Sequence, residues 1–308
     1  MSFWRKEARG DGWTSVIFEA ERIVVASVLR RGAAKPLVRA CESFAREGSE
    51  AESLKRLKQA KRIGHSPCTT LLGHGQYQLL QVDVPDNAKS LPREELREAL
   101  RWRIKEMVDF PVEAAGLDLL DIPATGSRTP QVWVVVASHA VLQPRIWAFQ
   151  DAKVALAAID IPELAQRNLA ALFEEENRAL ALVAFDGEGG RLTISHRGEL
   201  IMTRHIEVSA AELADGQAEA LFERVLLDIQ RTLDNFDRNF SAIPLTRLLI
   251  GPLPGGEAFL AYLAANLSLP VVQADLASAL DLEAVPQLAE PQRQAEGWLA
   301  LGAALREG

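Results

Sequence analysis

The sequence predicts an α/β protein of two related halves, with a small α+β unit inserted in the first. Three observations carry this. Ala179–Val208 reads as three strands, because Leu180, Leu182 and Ala184, then Leu192 and Ile194, alternate with a period of two. Its turns fall at Asp186–Gly190 and Arg197–Gly198–Glu199, where glycine takes positive φ without steric cost. Second, Trp13–Phe44 repeats the strand pattern without repeating the residues, so the halves look like an internal duplication. Third, the stretch from about Gln76 to Lys153 reads β-α-β-β-α, a compact unit of its own. The expected boundaries are 1–178 for the first half, 76–153 for the insertion within it, and 179–308 for the second half.

In chain order, strands are expected at Trp13–Phe18, Ile23–Leu29 and Leu37–Phe44, then a charged helix at Glu50–Ala60. Tyr77–Val84 alternates as a strand. Pro92 sits in the first turn of a helix whose Leu96, Leu100, Ile104 and Met107 share a face and which Pro111 stops. Ala114–Ile122 and Gln131–Ser138 follow as strands, His139–Ala152 as a helix, Val154–Ile161 as a strand and Pro162–Glu175 as a helix. After the second meander, Gln217–Phe240 is a long helix with Leu221, Val225, Ile229, Leu233, Phe236 and Phe240 on one side. Arg247–Ile250 and Pro270–Gln273 are strands around a helix at Glu257–Leu267, and Gly297–Arg306 is an apolar helix expected to pack back on the first half.

Composition narrows the function. Hydrophobic residues make up 48% of the 308, enough for substantial cores. The formal charge of −8 argues against nucleic-acid binding as the main task. Cys41 and Cys68 lack a partner motif, so neither a disulfide framework nor a metal knuckle is expected. No apolar run approaches the ~20 residues of a membrane span. Phe3 and Trp4 beside Arg5 and Lys6 fit a frayed tail or a membrane-touching one.

Several segments resemble one family. Leu96–Pro123, LREALRWRIKEMVDFPVEAAGLDLLDIP, is similar to the signature of the PilM family of type IV pilus assembly platforms, with Trp102, Phe110–Pro111 and Asp118 in the matching places and Arg103 where glutamate is commoner. The segment is most similar to the MshI branch, from the mannose-sensitive haemagglutinin (MSHA) pilus. Arg231–Phe236 and Gly297–Arg306 resemble the family's long-helix and closing-helix motifs. The resemblance implies an actin-like fold with the FtsA-type inserted subdomain. It also implies a cytoplasmic scaffold, peripheral at the inner membrane, that binds the tail of a single-span PilN/MshJ-like partner and contacts the assembly ATPase. Membrane contact would then be indirect.

Such folds hold ATP and magnesium between two hairpins with Asp-x-Gly turns, near a later glycine pair. Glycine lets backbone N–H groups reach phosphate, and aspartate orients magnesium or water. Here Phe18–Arg22 has no glycine, and its acids would repel a triphosphate. In the second hairpin Ala184 falls at the family aspartate and Asp186 at the glycine, so Asp186–Gly187 serves only by a two-residue shift. Gly255 and Gly256, following Gly251 and Pro252, complete the remnant. ATP turnover is therefore not expected, and ATP binding is expected to be weak or absent. The alternatives are a GspL-like secretion component, which would continue into a membrane span, an actin-fold small-molecule kinase, which needs an intact phosphate hairpin, and an FtsA-like filament former.

His65, His74, His139, His196 and His205 show no metal spacing and are read as surface residues. Trp102 and Trp147 fit either the core or a partner-facing surface, and Trp102 is the candidate anchor for the partner's tail.

Overall fold

The computed structural model describes residues 12–64, 66–123, 129–214 and 219–307. Phe3 and Trp4, His65, and the first two residues of the helix expected at Gln217 lie outside them. The first half opens with β1 (Trp13–Phe18), β2 (Arg22–Arg31), β3 (Ala34–Ala45), α1 (Glu50–Gln59) and β4 (Cys68–Leu71). The insertion follows as β5 (Gln78–Asp83), α2 (Arg93–Arg103), β6 (Ala115–Asp121) and β7 (Gln131–Ser138). α3 (His139–Asp151), β8 (Leu156–Asp160) and α4 (Pro162–Ala170) complete the half. The second half runs β9 (Ala179–Phe185), β10 (Gly190–His196), β11 (Glu199–Ile206), α5 (Ala210–Ala214), α6 (Glu219–Phe240), β12 (Leu245–Ile250), α7 (Glu257–Asn266), β13 (Val271–Gln273), α8 (Leu276–Ala279) and α9 (Pro291–Ala304).

The duplication is explicit in the sheets. The first is ordered β3-β2-β1-β4-β8 and the second β11-β10-β9-β12-β13. In each, an antiparallel meander leads to two parallel strands. β4, absent from the periodicity reading, is four residues buried at every position, so it has no polar face to alternate with. The β10–β11 turn is two residues, Arg197 and Gly198, both at positive φ (54° and 74°), as a twisted hairpin requires. Ser49 and Glu52 form a reciprocal cap at the start of α1.

Each half gives its last helix to the other. α4 packs on β9, β10 and β11, whereas α9 packs on β1, β2, β3 and β4, and the two helices lie against each other. Their contact is close because Gly302 has no side chain: a Cβ there would stand 2.1 Å from the Ala165 carbonyl oxygen. Asn168 Nδ2 donates to Gly302 O at 2.9 Å, and Ser15 Oγ donates to Ala300 O at 2.6 Å. α9 begins six residues before the expected Gly297, at Pro291, where proline suits a first turn.

The insertion sheet, β5-β7-β6, has one face under α2, around Leu100, Val134 and Val136. Its other face turns Trp133 and Ile122 into the second half's core, and Trp133 Nε1 donates to Leu200 O at 3.1 Å. α3 serves both parts: Ala148, Phe149 and Ala152 pack with Leu54 and Leu57 in the first half's own core, while the helix also lies against β6 and β7, with Leu142 over Gly116. Like α7 in the second half, it leads into the fifth strand of its sheet. α2 ends at Arg103, well before Pro111. Ile104 is buried there, Val108, Phe110 and Val112 fold back onto the sheet, and Arg101 donates to the carbonyls of Val112 (2.6 Å) and Ala115 (3.0 Å). Met107 consequently leaves the apolar face and is exposed. On α6 the buried face is centred on Phe222, Val225, Leu226 and Ile229, with Leu221 and Leu233 only flanking it.

Candidate functional site

Open α/β sheets place ligands in the cleft beyond the carboxyl ends of their strands, here those of β1, β4 and β8 in the first sheet and of β9 and β12 in the second. The first-hairpin turn, Phe18–Arg22, is closed by Glu19 N–H donating to Arg22 O at 2.9 Å. The Arg22 side chain pairs with Glu19 and lies 3.9 Å from Glu296 on α9. Arg46 donates to the Glu19 carbonyl at 3.1 Å, so the turn's polar atoms are spent on the protein itself. Beneath it, buried Arg145 of α3 pairs with Glu50 at 3.0 Å, donates to Thr70 and Leu71, and lies over the Phe18 ring.

The second-hairpin turn differs. Asp186 N–H donates to Gly189 O, and Asp186 Oδ1 accepts from the Glu188 N–H at 2.8 Å. Gly189 is at φ +137°, with His205 so close that any Cβ would touch its ring. Arg191, 5% exposed, places its guanidinium 3.7 Å from both Asp186 and Glu163, the latter at the start of α4. Tyr77 donates its hydroxyl to Glu163 at 2.5 Å, and burial, then the neighbouring Glu163 charge, pushes the phenol pKa up. The loop carrying Tyr77 reaches over from the first half. Its His74 N–H meets Glu188 at 3.3 Å and its His74 ring stacks on His205 at 4.0 Å. Burial, then His74, lowers the His205 pKa.

The nucleotide-remnant residues are therefore placed as follows. Ala184 is buried, and a Cβ on Gly251 would stand 2.7 Å from the Ala184 Cβ and 3.6 Å from the Trp298 ring. Trp298, 4% exposed on α9, thus fills the corner between the ends of β9 and β12, and its Nε1 has no partner among the described residues. Asp186 faces Arg191, and Gly187 is an exposed turn residue with open space around it. Gly255 takes φ +76° against Ala214, and Gly256 caps α7 over Leu253, so the pair shapes the turn into α7. Glu163, Asp186 and Glu188 against Arg191 make the cleft wall acidic, a poor setting for polyphosphate. Sequence reasoning missed Arg191, Glu163, Tyr77 and Trp298. None belongs to a spacing motif, and only the fold brings them together.

Trp102 is 62% exposed, with Lys105 over its ring, and Trp147 is 61% exposed. Both resolve to the surface. His74 lies on the surface, but His196 does not: it is 8% exposed on β10, its Nδ1 unpartnered among the described residues, which corrects its expected surface place. Both cysteines are buried and free. Among the described residues no cluster of three or more ligating side chains is present, and no helix is long and apolar enough to cross a membrane.

No family profile matches the chain, and no curated protein sequence matches it. Among solved structures it is similar to a chain of a PilM–PilN type IV pilus biogenesis complex, with TM-score 0.74 and 18% identity over 97% of this chain and 98% of that one. A TM-score of 0.49 relates it to the cytoplasmic domain of EpsL, an inner-membrane component of the type II secretion system of Vibrio cholerae, at 15% identity over 96% of each chain. A Bacteroides thetaiotaomicron protein with an actin-like ATPase fold gives the same score at 10% identity, over 91% of this chain and 96% of that one. The duplicated sheet order, together with full-length similarity to the PilM–PilN complex chain, gives this protein an actin-like α/β fold.

Proposed function

We propose that this protein is a scaffold at the cytoplasmic face of the inner membrane, an MshI-like member of an MSHA-type pilus assembly platform. One observation carries the reading: the similarity to the PilM–PilN complex chain extends over both chains nearly end to end, insertion included. By that likeness the partner is a PilN/MshJ-like single-span protein, which offers a short cytoplasmic tail, and the platform also meets the assembly ATPase. The tail binds in a groove between the first half and the inserted unit, and Trp102 of α2 is its anchor. A solvent-facing tryptophan makes a strong hot spot once a partner desolvates it.

The proposal includes no enzymatic step. The acidic wall around Asp186, the glycine-free turn at Phe18–Arg22 and the Trp298 ring support a reading in which ATP is neither held tightly nor hydrolysed. Titration with magnesium-ATP is expected to give no heat of tight binding. A low-micromolar dissociation constant, about −8 kcal/mol, would overturn this part.

The anchor is tested with a synthetic tail peptide from the membrane protein encoded beside this one. Trp102→Ala is expected to leave the melting temperature unchanged and to weaken peptide binding by about 2 kcal/mol, roughly 30-fold. Undiminished affinity in a folded variant removes Trp102 from the site. Absence of peptide binding by the unaltered chain overturns the tether.

A further inference from the structure

Lys55, Arg56, Lys58, Lys61 and Arg62 fall within eight residues that contain no acid, in a chain whose net charge is −8. The fold adds a sixth cation. The carboxyl ends of α1 and α3 lie together, because Lys58 Nζ donates to the carbonyls of Ala152 and Lys153, and this brings Lys153 into the group. Capping the negative end of a helix accounts for Lys58. It does not account for Lys61 and Lys153, whose side chains are exposed and have no partner among the described residues.

The cations are not equivalent. Arg56 is paired with Glu47 at 3.4 Å and Arg62 with Glu42 at 2.9 Å, so both guanidiniums are committed within the protein. What faces water is mainly ammonium. Lys55 is shared with exposed Asp151 at 2.7 Å, and Asp151 lies one helical turn from Trp147, so the tryptophan borders the lysines. Six cations stand against four carboxylates here (Glu42, Glu47, Glu52 and Asp151).

We propose that this surface contacts anionic phospholipid headgroups directly, with Trp147 entering the interface. Recognition of a carboxylate or phosphate on a protein partner favours the planar arginine fork, and here the arginines are already engaged. A diffuse headgroup layer asks only for long, mobile point charges, and tryptophan is the side chain that prefers the membrane–water boundary. The contact is weak. A patch of this kind serves as the second of two signals, the first being the peptide tether. It stands on the surface alone and does not depend on that tether.

The test uses the full chain without any partner, sedimented with vesicles of phosphatidylcholine alone or with about a third phosphatidylglycerol, at low and high salt. Binding is expected only to the anionic vesicles and is expected to be lost in high salt. Lys61→Glu with Lys153→Glu should lower the partition coefficient at least about 25-fold, at about fivefold for each lysine lost and more from the added repulsion, with the melting temperature unchanged. Trp147→Ser should lower it a further few-fold. Equal binding to both vesicle types overturns the proposal, as does binding that survives the double charge reversal. So does strong binding of polyglutamate without vesicle binding, which would assign the surface to an acidic protein partner.

Discussion

The two hairpins that face the cleft occupy the same place in duplicated sheets and use it in different ways. The Phe18–Arg22 turn has no glycine, its charges are surface-accessible, and it is tied down within its own half and to Glu296. The Phe185–Gly190 turn is glycine-rich, sits over a buried guanidinium of its own half, and is held by groups from the other half: Glu163, and through it Tyr77, and His74. What the sheets need, namely strand order and direction, is the same in both. What the turn does is free to diverge. The first has become a local closure and the second a junction between halves.

Breaking the buried ion pairs should separate the two hairpins most sharply. Arg191→Met leaves Glu163 and Asp186 without their cation, and an uncompensated buried charge costs about 3 kcal/mol or more. Arg22→Met, at the corresponding turn, removes a pair that is well exposed and should cost under about 1 kcal/mol. Urea unfolding of both variants measures the contrast, and equal losses would erase it. Next in size is Gly302→Ala. Its Cβ meets the Ala165 backbone, so α4 and α9 must part, at about 2–3 kcal/mol. Gly297→Ala crowds a side-chain atom, the Cys41 sulfur, rather than backbone, and should cost clearly less. Trp133→Phe keeps an aromatic ring but deletes the donor to Leu200 O and leaves a small gap at this buried seam, for about 1–2 kcal/mol.

The smallest expected effect is the pH response of the second hairpin. His205 has a lowered pKa, first through burial and then through stacked His74, so the unfolded chain takes up this proton at a higher pH than the folded one. Its contribution to stability is full above the ordinary histidine value of about 6.5 and is lost as pH falls through the folded value. Arg191, Asp186 and Glu163 also act on this imidazole. His205→Gln should flatten the stability–pH curve below neutrality, and an unaltered curve would detach the imidazole stack from the junction.

Both meanders were legible because their strands run six to twelve residues between turn residues, although β9 and β10 are buried at every position, and α1 was legible because an amphipathic helix carries its burial in its spacing. The short β4, buried on every side, has no such spacing. The early end of α2 was masked because Ile104, Val108 and Phe110 continue an apolar pattern after the helix has turned back on itself. At the cleft, the glycine-free first turn and Ala184 could be read directly. The Arg191–Glu163–Tyr77 group could not, since its members come from a strand, a helix and a loop that only tertiary pairing unites. Trp102 was ambiguous for a related reason: helical spacing tells which residues share a face, not whether anything covers it.

The exchange of α4 and α9 bears on how the chain can be divided. Cutting at residues 178 and 179 follows the repeat in the sequence, yet it leaves each fragment with a bare sheet and a stray helix that belongs over the other. Neither piece is a self-sufficient body. Mixed together, the two fragments carry complementary surfaces, as the parts of a split reporter do, so they should reassemble where either alone would aggregate. The same exchange limits motion in the intact chain. Any tilt of the halves must disturb the Gly302–Ala165 crossing, where the helices are too close for a Cβ, together with the Trp133–Leu200 and Tyr77–Glu163 contacts.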